Sequence, residues 1–238
     1  MSTKGLVLSR LESCKGSFIS GEDLAGECGI SRNAIWKAVS ELRKEGYKIT
    51  SVNNRGYMLS EDNDIVSEEG IRLHLSETIP DIIVYNEIDS TSMEAKRKLF
   101  FENDTFVHGN VIIARKQLSG RGHNGSILQS PETGIYLSII LDPKKVKTQN
   151  RPVTDFIAES VRSVLERSLG ISLKIKEKNR LYQGQKKICG IMTEGVSDLE
   201  TGIFSSYIVG IGIYYSEINH SENISRNQLI ASMIESIV

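Results

Sequence analysis

Cysteine is scarce in this 238-residue chain: Cys14, Cys28 and Cys189 lie far apart and are odd in number. They form no disulfide framework and no C-x-x-C metal pair, which points to buried reduced thiols in a cytoplasmic protein. Histidine is as sparse, and His74, His108, His123 and His220 are dispersed, so the spacing offers no zinc site. No window approaches the roughly 18–20 apolar residues of a membrane span. Met1-Ser2-Thr3-Lys4 lacks the apolar run of a signal peptide. Positive charge in excess is missing too, since the formal net charge is −1. The total conceals two local patches, which decide partners better than the sum does. Between Ser31 and Arg55, six basic residues (Arg32, Lys37, Arg43, Lys44, Lys48, Arg55) meet two acids, Glu41 and Glu45. Between Lys174 and Lys187, six more (Lys174, Lys176, Lys178, Arg180, Lys186, Lys187) meet Glu177 alone.

The first patch falls on a helical pattern. Leu6, Leu8, Leu11 and Cys14 make a roughly helical apolar face. Ser20 is an N-cap with an acid three residues on, and Leu24, Ala25 and Cys28 supply the inward face of a short helix that Gly29 stops. Ser31 caps a second helix whose Ile35, Val39 and Leu42 repeat at i, i+4, i+7, and Gly46 ends it. A short helix, a tight glycine turn and a second amphipathic helix predict a helix-turn-helix. Arg32, Asn33, Trp36 and Lys37 then occupy the outer, N-terminal part of the recognition helix, where base edges and phosphates are met. Trp36 lies beside the apolar stripe, so the pattern leaves it open between core and surface. Tyr47-Lys48-Ile49 and Tyr57-Met58-Leu59, joined through Asn53-Asn54-Arg55-Gly56, predict a hairpin wing with Arg55 at its tip. The expected partner is double-stranded DNA rather than RNA, because no aromatic stacking platform is present.

Residues 1–62 are therefore expected to form a winged helix-turn-helix. Residues 63–77 form an acidic linker with a short helix from Ser67, and 78–238 form a second domain. Strand-like runs alternate irregularly with helices there, which predicts an α+β fold with a mixed sheet backed by helices. The loop Gln117-Leu118-Ser119-Gly120-Arg121-Gly122-His123-Asn124-Gly125 follows the strand-like run Val111-Ile112-Ile113-Ala114. Its glycines allow positive φ and close approach to a ligand, free N–H groups can cradle an anion, and Arg121 adds a guanidinium suited to carboxylate or phosphate. A plain surface loop is the alternative reading. Gly210 and Gly212 mark a later strand as a place of close approach.

These segments together resemble the bifunctional biotin protein ligase and biotin-operon repressor family. The resemblance runs through Ser20-Gly21-Glu22-Asp23-Leu24-Ala25, Ile30 to Lys37, and Leu42 to Tyr47. It continues through Asp89-Ser90-Thr91, Gln117 to Gly125, Ser130-Pro131, Gly134 to Ser138, Lys187-Ile188-Cys189-Gly190-Ile191 with Glu194, and Gly210 to Ile213. It implies a winged helix joined to a ligase domain distantly like the class II aminoacyl-tRNA synthetase core. It implies activation of the biotin carboxylate by ATP to biotinyl-5'-AMP, transfer to a carrier-protein lysine, and homodimers on a palindromic operator. By resemblance, Ser90, Thr91 and Gln117 hold the biotin side, while Gly120, Arg121, Gly122 and His123 belong to the loop over the activated ligand. Lys187 positions carboxylate and α-phosphate. Asn179, Gly190, Gly210 and Gly212 complete the ligand site, Arg180 is placed there as part of a basic run that would hold an anionic small molecule, with a solvated loop as the alternative, and no metal-binding residue is assigned.

The chain also departs from the family. Trp-Pro-Asn-Asp is expected at 177–180, where Glu177-Lys178-Asn179-Arg180 stands, so a carboxylate becomes a guanidinium. Further arginines of the loop are His123 and Asn124, the tryptophan beyond it is Leu128, the third residue of Ser-Thr-Asn is Ser92, and the Asn after Gly-Ile-Gly-Ile is Tyr214. The family continues into a small β-barrel where this chain stops at Val238. The expected function is thus a DNA-binding regulator with a small-molecule effector, whose ligase half has lost or weakened activity. The alternative is an active ligase-repressor, with ATP, Mg²⁺ and a carrier protein entering only then.

Overall fold

The structure, a computed structural model, describes residues 2–76, 79–101, 107–120, 122, 128–146, 148, 151–177, 179–197, 200–218, 220 and 224–238. The chain forms two compact units, Met1–His74 with Arg226–Gln228, and Leu75–Ser225 with Leu229–Val238.

In the first unit, α1 (Thr3–Ser13), α2 (Gly21–Cys28) and α3 (Arg32–Lys44) follow one another. Each starts on a serine whose hydroxyl accepts a backbone N–H: Ser2 from Gly5, Ser20 from Asp23 and Ser31 from Ala34. Gly29 ends α2 at φ 66°, a left-handed cap that returns its own N–H to the helix carbonyls. Val7, Leu11, Leu24, Ile35, Val39, Leu42 and Leu59 form the core. The wing is β1 (Ile49–Val52) paired antiparallel with β2 (Gly56–Leu59). It is tied to the α1–α2 connection by two backbone bonds of 2.9 Å between Ile19 and Tyr57. Gly56 is forced by this tie: at φ 92°, a Cβ there would lie 1.9 Å from the Ile19 carbonyl oxygen.

The stretch 63–77, expected as a linker, carries α4 (Glu68–Arg72), capped by the Ser67 hydroxyl. Val66 and Ile71 are buried, and α4 packs on α1. Asp64 accepts both the backbone N–H and the Nε–H of Arg226 at 2.8 Å. Asn227 accepts the Ser67 N–H at 3.0 Å and donates to the Ile65 carbonyl at 3.1 Å. Apolar side chains and satisfied polar groups therefore hold this segment in the first unit through His74.

The second unit is a seven-stranded mixed sheet. Its strands are β3 (Ile82–Ile88), β4 (Val111–Gln117), β5 (Ile135–Leu141), β6 (Lys174–Lys176), β7 (Arg180–Gln183), β8 (Lys186–Ser197) and β9 (Phe204–Ile213). They lie in the order β3-β4-β5-β9-β8-β7-β6. Only β3 and β4 pair in parallel, across α5 (Thr91–Phe101); the other pairs are antiparallel. The central β5 is buried along its whole length. α6 (Val153–Leu169) turns Ile157, Val161, Val164 and Leu165 inward and packs on β6, β7 and β8. α7 (Arg226–Ile237) closes the chain, with Leu229, Ile230, Met233 and Ile234 buried. The α+β architecture is the one expected, and β7 is the strand the sequence pattern did not predict.

Gly56→Ala is expected to destabilise the first unit by more than about 1 kcal/mol, since it loses positive φ and collides with backbone. Gly26→Ala, whose Cβ would meet nothing within 4 Å inside α2, is expected to stabilise it by roughly 0.5–1 kcal/mol. Urea unfolding of both variants tests the wing geometry, and an unshifted Gly56→Ala midpoint would contradict it.

Candidate functional site

Three glycines clear the sheet face beneath the site. Gly190 of β8 pairs with Gly212 of β9, and two residues along, Met192 pairs with Gly210. The neighbouring β5 offers Tyr136 opposite Gly212 and Ser138 opposite Gly210. Residues two apart on a strand share a face, so this strip lacks side chains at three positions. A Cβ at Gly210 would come within 2.8 Å of the Ser92 hydroxyl, and one at Gly212 within 3.0 Å of Leu128. Over the strip opens a partly enclosed pocket. Ser90, Thr91 and Ser92 line it from the β3–α5 junction and Gln117 from the end of β4; Asn179, Arg180 and Lys187 line it from β7, β8 and the turn before them.

The polarity of its polar wall follows from one amide. The Thr91 backbone N–H lies 2.9 Å from Gln117 Oε1. A backbone N–H only donates, so oxygen must face it, and Gln117 Nε2 is left to donate to Ser130 Oγ at 3.2 Å. The Thr91 hydroxyl, 3.2 Å from the same Oε1, must also donate. Ser138 then donates to Thr91 Oγ1 at 2.8 Å, and Ser92 donates to Ser138 across 3.0 Å. The chain Ser92→Ser138→Thr91→Gln117 runs one way. Thr91, Ser92 and Ser138 are all buried, and Ser92 keeps only acceptor capacity for a ligand. Beside the pocket, Asp89 accepts two bonds of 2.8 Å from Arg97. With the Ser90 N–H they hold its carboxyl at about 2, so Asp89 stays ionised and occupied.

The other end is cationic. Lys187 Nζ reaches over Gly190, 3.4 Å from where a Cβ would stand. Arg180 is the cross-strand neighbour of that same glycine, and its guanidinium pairs with Glu177 at 2.7 Å. Asn179 donates from its amide to the Ile191 carbonyl at 3.1 Å and accepts the Ile191 N–H on its backbone at 2.9 Å, which fixes the turn into β7. Cys189 between them is wholly buried, and burial pushes its thiol up to about 12, leaving it neutral. No carboxylate is among the described residues lining the pocket. Nor do three or more His, Cys, Asp or Glu converge as a metal set among the described residues.

Of the residues singled out in the sequence, Ser90, Thr91, Gln117, Gly122 and Asn179 line this pocket, as do Arg180, Lys187, Gly190, Gly210 and Gly212. Gly120 stands just behind Gln117: a Cβ there would meet Gln117 Nε2 at 2.9 Å, and its carbonyl accepts the Leu128 N–H at 2.8 Å. Arg121, His123 and Asn124 lie outside the described residues. Sequence reasoning missed Ser130 and Ser138 as parts of the polar wall. Ser138 carried a signal, the one small hydroxyl side chain in the otherwise aliphatic and aromatic run Ile135–Leu141.

In the first unit the recognition-helix residues are arranged unevenly. Ser31 spends its hydroxyl on the α3 cap. Arg32 pairs with Glu22 at 2.7 Å. Asn33 and Lys37 are exposed, and Trp36 is 66% exposed, which settles it as a surface residue. Arg55, at the wing tip as expected, stacks over the Phe18 ring at 4.2 Å from its centroid. Arg32, Glu22, Asn53 and Asn54 border an open groove between α3 and the wing. No helix among the described residues is long and apolar enough to cross a membrane.

Residues 6–58 match a helix-turn-helix domain family, and residues 86–213 match the biotin/lipoate A/B protein ligase family. The bifunctional ligase/repressor BirA of Bacillus spizizenii and that of Bacillus subtilis are 35% and 34% identical over 198 residues, 82% of this chain. This chain spans 60% of the length of those relatives. A biotin protein ligase from Aquifex aeolicus, solved in complex with biotin and ATP, superposes with a TM-score of 0.52 at 25% identity, covering 66% of this chain and 68% of that one. With its second match taking in the sheet as far as the end of β9, this chain belongs to the biotin/lipoate A/B protein ligase family, and carries a helix-turn-helix domain ahead of that match.

Proposed function

We propose that this protein is a cytoplasmic, homodimeric DNA-binding transcription regulator of the biotin repressor type. Its second unit takes biotin or biotinyl-5'-AMP as effector and has lost or weakened the ligase step. The observation that carries the reading is the contrast within one pocket. The Thr91–Gln117 wall is intact, while a guanidinium stands where the resembling family has a carboxylate.

Biotin's cyclic urea has two N–H donors and one carbonyl. Ser92 has acceptor capacity to spare for an N–H, and the Ser90 hydroxyl can donate to the carbonyl. The strip at Gly190, Gly210 and Gly212 gives the ring and its chain room to lie against the sheet backbone. The ligand's carboxylate then falls to Lys187. In ligases Mg²⁺ is commonly held by one or two carboxylates together with ATP phosphates, and the described lining residues supply none. In the first unit, Arg32, Asn33, Trp36 and Lys37 of α3 face double-stranded operator DNA, and two copies of that helix suit a palindromic site.

A second reading, an active ligase-repressor with a carrier protein as partner, is favoured by the position of Lys187 over Gly190. There its ammonium would offset charge developing at the α-phosphate of ATP.

Arg32→Ala and Lys37→Ala are each expected to weaken binding to double-stranded DNA and to lower the salt slope by about 1. Fluorescence anisotropy across a salt series reads both, and unchanged slopes would remove α3 from the DNA. Gln117→Ala is expected to weaken biotin binding by about tenfold or more, since it breaks the polarised wall at its acceptor end. Calorimetry reads this, and a twofold change or less would place biotin's ring elsewhere.

A further inference from the structure

The cationic end of the pocket holds an ion pair that a ligand could enter. Arg180 and Lys187 converge on one glycine, Arg180 through its strand register and Lys187 through its ammonium 3.4 Å from the missing Cβ. The Lys187 ammonium makes no hydrogen bond or ion pair among the described residues, its backbone pairing with Tyr182 in the sheet. Arg180 makes one, to Glu177, and the two differ in depth: the arginine side chain is 33% exposed and the glutamate 60%. Glu177 therefore stands on the solvent side of the guanidinium and does not line the pocket. Its backbone sits at φ 53°, a left-handed region that a glutamate rarely adopts.

We propose that Arg180 is a specificity-determining anion-binding residue, and that Glu177 is its internal competitor, displaced when a ligand's carboxylate or phosphate reaches the guanidinium. A glutamate this exposed makes a weak pair, because water screens it and its side chain gives up freedom to stay. An anion inside the pocket meets two cations at once, is better shielded from water, and can use the planar guanidinium bidentately. The ligand class this selects is an organic acid or its phosphoryl derivative; the neutral counterpart gains nothing from Arg180. The biotin version of this proposal rests on the reading given under Proposed function, whereas the anion site itself does not.

The test uses calorimetry on the full chain with three probes: biotin, its neutral primary amide, and inorganic pyrophosphate. Glu177→Gln keeps the shape of the side chain and removes the competing charge. It is expected to tighten biotin and pyrophosphate by about three- to tenfold and to leave the amide within twofold. Arg180→Gln is expected to weaken both anions by about tenfold or more, again sparing the amide. In the Arg180→Gln background, Glu177→Gln should have no further effect, because the pair it breaks is already gone. If Glu177→Gln leaves both anions unchanged, or shifts the amide as much as the acid, the proposal is overturned. If pyrophosphate follows the pattern while neither biotin nor its amide binds any variant, the anion site stands and the biotin reading falls. Unchanged amide binding, or an unchanged circular dichroism spectrum where no amide binds, separates loss of the site from loss of the fold.

Discussion

The ligand pocket depends on the contact between the Thr91 N–H and Gln117 Oε1. A backbone N–H cannot accept, so the amide can face it in one orientation only, and each neighbouring hydroxyl has its proton committed in turn. The result is a wall with a fixed polarity in a buried setting, where reversing any one bond would leave a donor facing a donor. The elements that bring these groups together are ordinary: a strand end, a helix start and one serine on a central strand. What makes them a site is the adjoining strip at Gly190, Gly210 and Gly212, where the sheet gives up side chains and leaves space.

The two ends of the pocket obey different physics. At the polar wall, neutral hydrogen bonds fix the donors and acceptors on offer. At the other end stand two cations, Arg180 and Lys187, with no acid among the described lining residues. On the function proposed above, such a site keeps the acid while the step through a metal-bound triphosphate is weakened.

Much of this was readable from the residues. Ser20, Gly29 and Ser31 announced the helix-turn-helix because capping is local chemistry, and the glycine-bearing strand segments announced the pocket floor. The features that escaped are set by distant parts of the chain. β7 has a single fully buried apolar residue, Leu181, and is a strand because β8 pairs with it. The segment 63–77 has the acidic composition of a linker, yet Val66 and Ile71 find a core on the first unit. The stacking of Arg55 on Phe18 joins the wing to the α1–α2 connection, a contact that local sequence does not announce. Trp36 could not be assigned by periodicity, because it sits at the edge of the apolar stripe of α3.

The central claim is that the guanidinium at Arg180 leaves an acid-binding pocket with a weakened ligase step. The most direct measurement is pyrophosphate release from ATP in the presence of biotin and Mg²⁺, followed alongside a complete ligase of the family. The account predicts release at least about a hundredfold slower than in that enzyme, the scale of losing one transition-state charge contact, while biotin still binds. Release at a comparable rate, with biotinyl-5'-AMP accumulating on the protein, would contradict it.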